Sequence, residues 1–221
     1  MKNYIVFDLE WNQSANGKER SIPHFPFEII EIGAVKLNEA FQMVDEFHRL
    51  IRPQVYTQMH HAISEVTHMD MKELRNSGEL FPDAAADFLS WCGGDAVFCT
   101  WGNMDLLELQ RNMDYYHMDN PFPKPLLYYD VQKLYGLFCR ENARISLDSA
   151  VEEQSLLENR PFHRALDDAY YTGRVLSALD MDLYGVYVSV DYYGLPDEKD
   201  KEFYLYFPEY TKFVSREFDS R

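Results

Sequence analysis

The sequence predicts an α/β fold, a mixed five-stranded sheet flanked by helices, with a C-terminal aromatic appendage. Three observations carry this expectation. Three β-like runs come first, at 4–10, 27–37 and 42–51, with short or absent crossovers between them, which suggests an antiparallel start to the sheet. Helix and strand patterns alternate afterwards, as in sheets with helices on their faces. The 221 residues, 46% hydrophobic, are enough for one domain with a proper core.

The first run, YIVFDLE, is apolar up to its two acids; the second is FEIIEIGAVKL, and the third, QMVDEFHRLI, alternates polar and apolar residues. Short helical pieces are expected over 59–76 and a helix entered through Pro82 over 81–92. A strand at 96–101 (AVFCTW) leads through Gly102 and Asn103 into a helix ending near His117. A strand at 126–130 feeds a helix over 131–140, a shorter helix lies near 146–154, and a long one covers 164–179. Beyond these, YGVYVSVDYY and EFYLYF flank GLPDEKDK, the pattern of a β-hairpin or an appended strand pair. We therefore expect a main domain over 1–182 and an extension over 183–221, by default an appended hairpin covering the core, with truncation as one reading of its end in FVSREFDSR.

The formal net charge of −16 excludes a protein that coats nucleic acid by broad phosphate neutralisation. It does not exclude an enzyme that grips one chain end, provided bound divalent cations supply positive charge at the phosphate. Cys92, Cys99 and Cys139 show no metal-type spacing and fit free buried thiols in a reducing cytosol. No signal-peptide pattern and no long apolar stretch is present, so a cytoplasmic protein without membrane contact is expected.

Asp8 and Glu10 stand two apart on an otherwise apolar strand, so they project from one face. Two acids there are costly unless a positive partner joins them. A pair of divalent ions would use both, in the arrangement that serves in-line phosphodiester cleavage; a frayed, solvated strand end is the plainer reading. Asp105 follows the strand ending at Trp101 by four residues, in the first turn of the next helix. Ligands bind at that end of a strand in open α/β sheets, while an acid in a first turn also complements the helix dipole with no catalytic role.

The stretch PFHRALDDAYYT (161–172) is more informative. Pro161 places His163 at the helix entrance. Ala165, Asp168, Thr172, Val175 and Leu179 share one small-to-apolar face, which makes Asp168 the buried acid; Asp167 falls with Tyr171 and Arg174 as exposed residues. Four acids and a histidine so placed indicate a metal site.

These residues resemble the motifs of the DEDDh exonuclease superfamily, RNase T- and DnaQ-like enzymes of ribonuclease-H-like fold. FDLE, with Asp8 and Glu10, is similar to its first motif; TWGNMDLLEL, with Asp105, to its second; HRALDD, with His163 and Asp168, to its third. A Tyr-type third motif would need Tyr where Arg164 stands. WGNxD and IRPQVYTQMHHAISEVTHMD most resemble the enhanced-RNAi-type and KapD-like exonucleases, in which a phrase like His61–Ser64 lies against the terminal nucleotide. The resemblance covers about residues 3–180.

The resemblance implies two divalent cations, magnesium or manganese, in an all-oxygen shell. Asp8 would bridge them, Glu10 and Asp168 would complete the site of the attacking water, and Asp105 would hold the second ion through a water. His163 would take the water's proton, giving 5′-mononucleotides. Trp11, Met104, His61 and Ile63 are candidates for holding the final base, with core packing as the alternative for each. The implied partner is a nucleic-acid 3′ end, RNA favoured over DNA from the subgroup alone. A DNA-directed proofreading-type exonuclease and a non-catalytic binding module are the rivals, and the tail offers a surface for a homodimer. Asp130 is expected to be a helix N-cap rather than a metal ligand.

Overall fold

The computed structural model describes residues 2–15, 21–123, 126–139, 145–179, 187–190, 203–206 and 214–215. Five strands form the expected mixed sheet: β1 (Asn3–Gln13), β2 (Phe27–Leu37), β3 (Met43–Leu50), β4 (Ala96–Thr100) and β5 (Leu127–Asp130). Their order is β3-β2-β1-β4-β5; β1, β2 and β3 pair antiparallel, and β4 and β5 join parallel to β1. Antiparallel pairing needs no crossover, and the two parallel strands each follow a helix, as their connectivity requires.

β1 runs three residues past the acids, to Gln13, so Trp11 is strand rather than loop. The register shifts there: Glu10 faces Glu31 and Trp11 faces Ile29, leaving Ile30 as the extra residue of β2. Ile30 is thereby turned into a small second core with Met69 and Leu74, against which Ile63 packs.

The helices are α1 (His61–Thr67), α2 (Met71–Ser77), α3 (Phe81–Cys92), α4 (Met104–Tyr115), α5 (Val131–Cys139), α6 (Leu147–Glu153) and α7 (Ala165–Ala178). Asp70 caps α2 by accepting the Glu73 N–H, and Pro82 opens α3. Asp130 accepts the Lys133 N–H at 3.0 Å and pairs with its ammonium, the capping role expected of it. The main core joins Ile5, Phe7 and Leu9 to Phe88 of α3, Leu109 of α4 and Val175 of α7.

Three further strands, β6 (Tyr187–Val190), β7 (Phe203–Tyr206) and β8 (Val214–Ser215), pair antiparallel and continue the sheet from β5. β6 and β7 are the strand pair read from the sequence. They lengthen the sheet at the β5 edge, where backbone groups need partners, and do not lie over the core as a cover. The rest of 183–221 falls outside the described residues. Of the three cysteines, Cys92 and Cys99 are buried as expected but Cys139 is exposed, because it stands at the last residue of α5. No described helix is long and apolar enough to cross a membrane.

Candidate active site

Asp8 and Glu10 share a face of β1, and the first turn of α7 carries Asp168 to them. One carboxylate oxygen from each of the three lies within 4.8 Å of the others. α7 reaches this depth because its first turn rests on Gly33, the cross-strand partner of Asp8. A Cβ at Gly33 would meet the Leu166 nitrogen at 2.0 Å, so only glycine lets the helix approach so closely.

Asp105 is 5% exposed at the start of α4. One of its oxygens accepts the Leu9 N–H at 3.1 Å, which ties α4 to the strand between the two acids. It does not join the three-carboxylate group, although its charge acts on both Asp8 and Glu10.

The electrostatics are those of an uncompensated anionic pocket. Burial, and then the charges of Asp105, Asp168 and Glu10, hold the Asp8 carboxyl well above its ordinary pKa. Burial and the Asp168 charge push Glu10 up to about 8. Asp105 and Asp168 are each raised to about 7, burial being the largest cause for both. Asp168 Oδ2 accepts the His163 N–H at 3.1 Å, while its Oδ1 is buried with no hydrogen-bond partner. An orphaned carboxylate oxygen beside two more carboxylates fits a divalent cation, which would take up oxygen ligands of this kind.

His163 precedes Arg164, the N-cap of α7, with φ 66°, a left-handed conformation that costs a non-glycine residue free energy and is held by its surroundings. Its ring is exposed, close enough to Asp148 for the two charges to interact. The bend directs the His163 N–H back to Asp168, coupling the two residues of the third motif.

Asp168 is the buried acid of its pair, and Asp167 bonds Arg160 at 3.0 Å. Tyr171, expected to be exposed, is fully buried: it stacks on Phe162, and its hydroxyl donates to the Glu158 and Arg160 carbonyls. Arg164 bonds Glu31 at 2.9 Å.

The base-binding candidates scatter more. Trp11 is half-buried and packs on Phe27, with ring centroids 5.5 Å apart. Met104 is 40% exposed beside Asp105. Ile63 is half-buried against the second core. His61 is exposed and pairs with Glu65.

Sequence reasoning passed over three buried polar residues. Glu31, 1% exposed, accepts from His48, Arg164 and the Ala165 N–H, and so caps α7 from β2. Glu28 and Asn12, cross-strand partners, bind the segment that leads into α1. A signal was present: FEIIEIGAV places two acids three apart inside an apolar run, which demands partners for both.

A family model described as an exonuclease, RNase T type, matches residues 5–176. The chain belongs to this family, within the DEDDh exonucleases. It is therefore an enzyme, a 3′–5′ exonuclease of ribonuclease-H-like fold. The probable 3′–5′ exonuclease KapD of Bacillus subtilis is 27% identical over 188 residues, covering 80% of this chain and 84% of KapD. The PolC-type DNA polymerase III of Thermotoga petrophila is 33% identical over 150 residues, 67% of this chain and 10% of the polymerase. Among solved structures, the nuclease domain of 3′hExo, a DEDDh member bound to rAMP, superposes with a TM-score of 0.68 at 23% identity, covering 82% of this chain and 92% of that domain.

Proposed function

We propose that this DEDDh exonuclease removes 5′-mononucleotides stepwise from the 3′ end of RNA or short single-stranded nucleic acid, with two magnesium or manganese ions at Asp8, Glu10, Asp105 and Asp168. The observation that carries this is the group of three carboxylates within 4.8 Å, one with an orphaned buried oxygen. Such a group is stable in its ionised form only with a strong cationic partner. Divalent cations, when bound, supply charge neutralisation for the carboxylates and for the phosphate under attack.

The chain's own residues supply the rest. Asp8, Glu10 and Asp168 form the ion-holding face. Asp105, anchored to the Leu9 N–H, completes the ligand set. His163, exposed next to Asp168, accepts the proton of the attacking water; histidine is the side chain suited to that exchange near neutral pH. Trp11 and Met104 flank the strand end where a terminal base would stack, and His61 and Ile63 on α1 form the opposite wall. Residues 1–182 would be the catalytic unit, with 183–221 as its extension.

RNA is favoured over DNA by the likeness to a domain solved with rAMP, whereas the PolC likeness favours DNA. End-labelled single-stranded RNA, single-stranded DNA and duplexes, each with magnesium and with manganese, decide between them. A ladder shortening from the 3′ end, fastest on RNA, is expected. Faster loss of DNA would transfer the assignment to the DNA-directed reading, and absence of both degradation and manganese binding would leave a non-catalytic binding module.

A further inference from the structure

The face of β1 that carries Asp8 and Glu10 has a third polar residue on it, Asn12, two positions further on. Asn12 is completely buried. Its amide nitrogen donates to the Tyr56 carbonyl at 2.8 Å and the Gln58 carbonyl at 2.9 Å, and its oxygen accepts the His60 N–H at 2.9 Å. Both donors are used, across a segment more than forty residues away in sequence. His60 is the N-cap residue of α1, and its own side chain makes no capping bond.

Glu28, opposite Asn12 in register, holds the preceding part of the same segment. Its carboxylate accepts the N–H groups of Gln54, Val55 and Tyr56 and the hydroxyl of Tyr116. One cross-strand pair therefore anchors 54–60 along its length, and α1 begins where the anchoring ends. α1 has few other ties. Ser64 and Thr67 bond within α1 and the turn that follows it, and Ile63 packs on the second core.

We infer that Asn12 is a positioning residue for substrate. Its amide sets the distance between the metal-binding strand and the start of α1, so that His61 and Ile63 meet the 3′-terminal nucleotide while Glu10 meets its phosphate. The inference rests on the proposed function in one respect, that α1 forms a wall of the nucleotide site. It predicts that Asn12 governs substrate binding and not the chemical step.

The test uses the full chain and an end-labelled oligonucleotide. Asn12→Asp keeps the shape of the side chain but sets an oxygen against the Tyr56 and Gln58 carbonyls; Asn12→Ser removes the bonds without adding charge. Both should raise KM by at least about ten-fold, the worth of a single hydrogen bond where two or three are broken, with kcat changed less than about three-fold and manganese binding by calorimetry unaltered. A second pair of variants works from the other end of the bond. His60 has φ −69° and ψ 132°, a conformation proline adopts, so His60→Pro deletes the N–H that Asn12 accepts, whereas His60→Ala keeps it. His60→Pro should show the higher KM of the two. Unchanged KM in folded Asn12 variants, equal losses in kcat and KM, or identical KM for the two His60 variants would overturn the inference. Should the Asn12 variants not fold, the His60 pair decides. A wild-type chain that degrades no oligonucleotide defeats the proposed function itself, a result distinct from these.

Discussion

Glu31 and Arg164, 133 residues apart, are joined by a hydrogen-bonded ion pair at 2.9 Å beside the carboxylate group, on the strand position facing Glu10. The same Glu31 carboxylate accepts the Ala165 N–H and a bond from His48. One buried acid thus ties β3, β2 and the entrance of α7 together, and α7 carries Asp168.

Removing it should loosen that entrance. Breaking a buried pair by deleting one partner costs roughly 3–5 kcal/mol, because the survivor is stranded. The Arg164 side chain is 32% exposed and can rehydrate, which puts Glu31→Ala at about 3 kcal/mol or less in urea unfolding. Hydrolysis should fall with it, since His163 and Asp168 lean on the same turn. A variant with unchanged midpoint and rate would show that α7 docks by apolar packing alone.

The metal-free protein should lose stability as pH rises. Glu10 is raised to about 8 and Asp105 and Asp168 to about 7, with Asp8 also well above its ordinary value. Unfolded, these acids titrate near about 4. Between those limits the folded chain binds more protons than the unfolded one, so stability declines as pH climbs from about 4 to about 8. Glu31 acts in the opposite sense: burial would raise it, but bonds from His48 and Arg164 outweigh that and lower it, so its contribution is lost only as pH falls through its depressed pKa. Thermal unfolding in chelator should give a higher Tm near pH 5.5, about 1.5 units above the lower limit, than near pH 8, the upper limit. Added magnesium or manganese should raise Tm most at the higher pH, where the carboxylates are ionised. A metal effect independent of pH would argue against binding at these acids.

Asp8→Ala and Asp168→Ala should abolish hydrolysis and leave the fold intact. Each also removes a charge from a self-repelling group, so the metal-free Tm at pH 8 should hold or increase while the metal-induced rise shrinks. Full activity of Asp8→Ala without added metal would falsify the mechanism.

His163→Ala should slow hydrolysis by about 10²–10⁴-fold, the usual worth of a general base. Asp168 takes its bond from the His163 backbone, not the ring, so manganese affinity should survive. Loss of metal binding together with rate would assign His163 to holding the turn.

Much of this was legible along the chain. Period-two spacing puts Asp8 and Glu10 on one face, and helical spacing separates buried Asp168 from Asp167, which bonds Arg160. Helical spacing from Asp168 picks out a single face and leaves Tyr171 off it, whereas α7 is buried on a broader arc that includes Ala169 and Tyr171. Asn12, Glu28 and Glu31 were missed for a different reason: their partners lie in distant segments, and no local period encodes them. Cys139 was misjudged because composition says where thiols tend to lie, not which face of α5 holds one.

Gly33 was also readable, since a glycine inside a buried strand marks a close backbone approach. Its Cβ position lies 2.0 Å from the Leu166 nitrogen and 2.1 Å from the Ala165 carbonyl carbon. Neither is a side chain that can swing aside, so Gly33→Ala must push the first turn of α7 away from β2. Overpacking of this kind costs roughly 1–3 kcal/mol, and more where backbone has to move. The displaced turn carries Asp168 away from Asp8, which pairs with Gly33 across the strands. Gly33→Ala should therefore lose manganese binding and hydrolysis together, with a lowered Tm, although no proposed ligand has been touched. Wild-type metal affinity in that variant would mean that Asp168 is positioned by something other than the contact between α7 and β2.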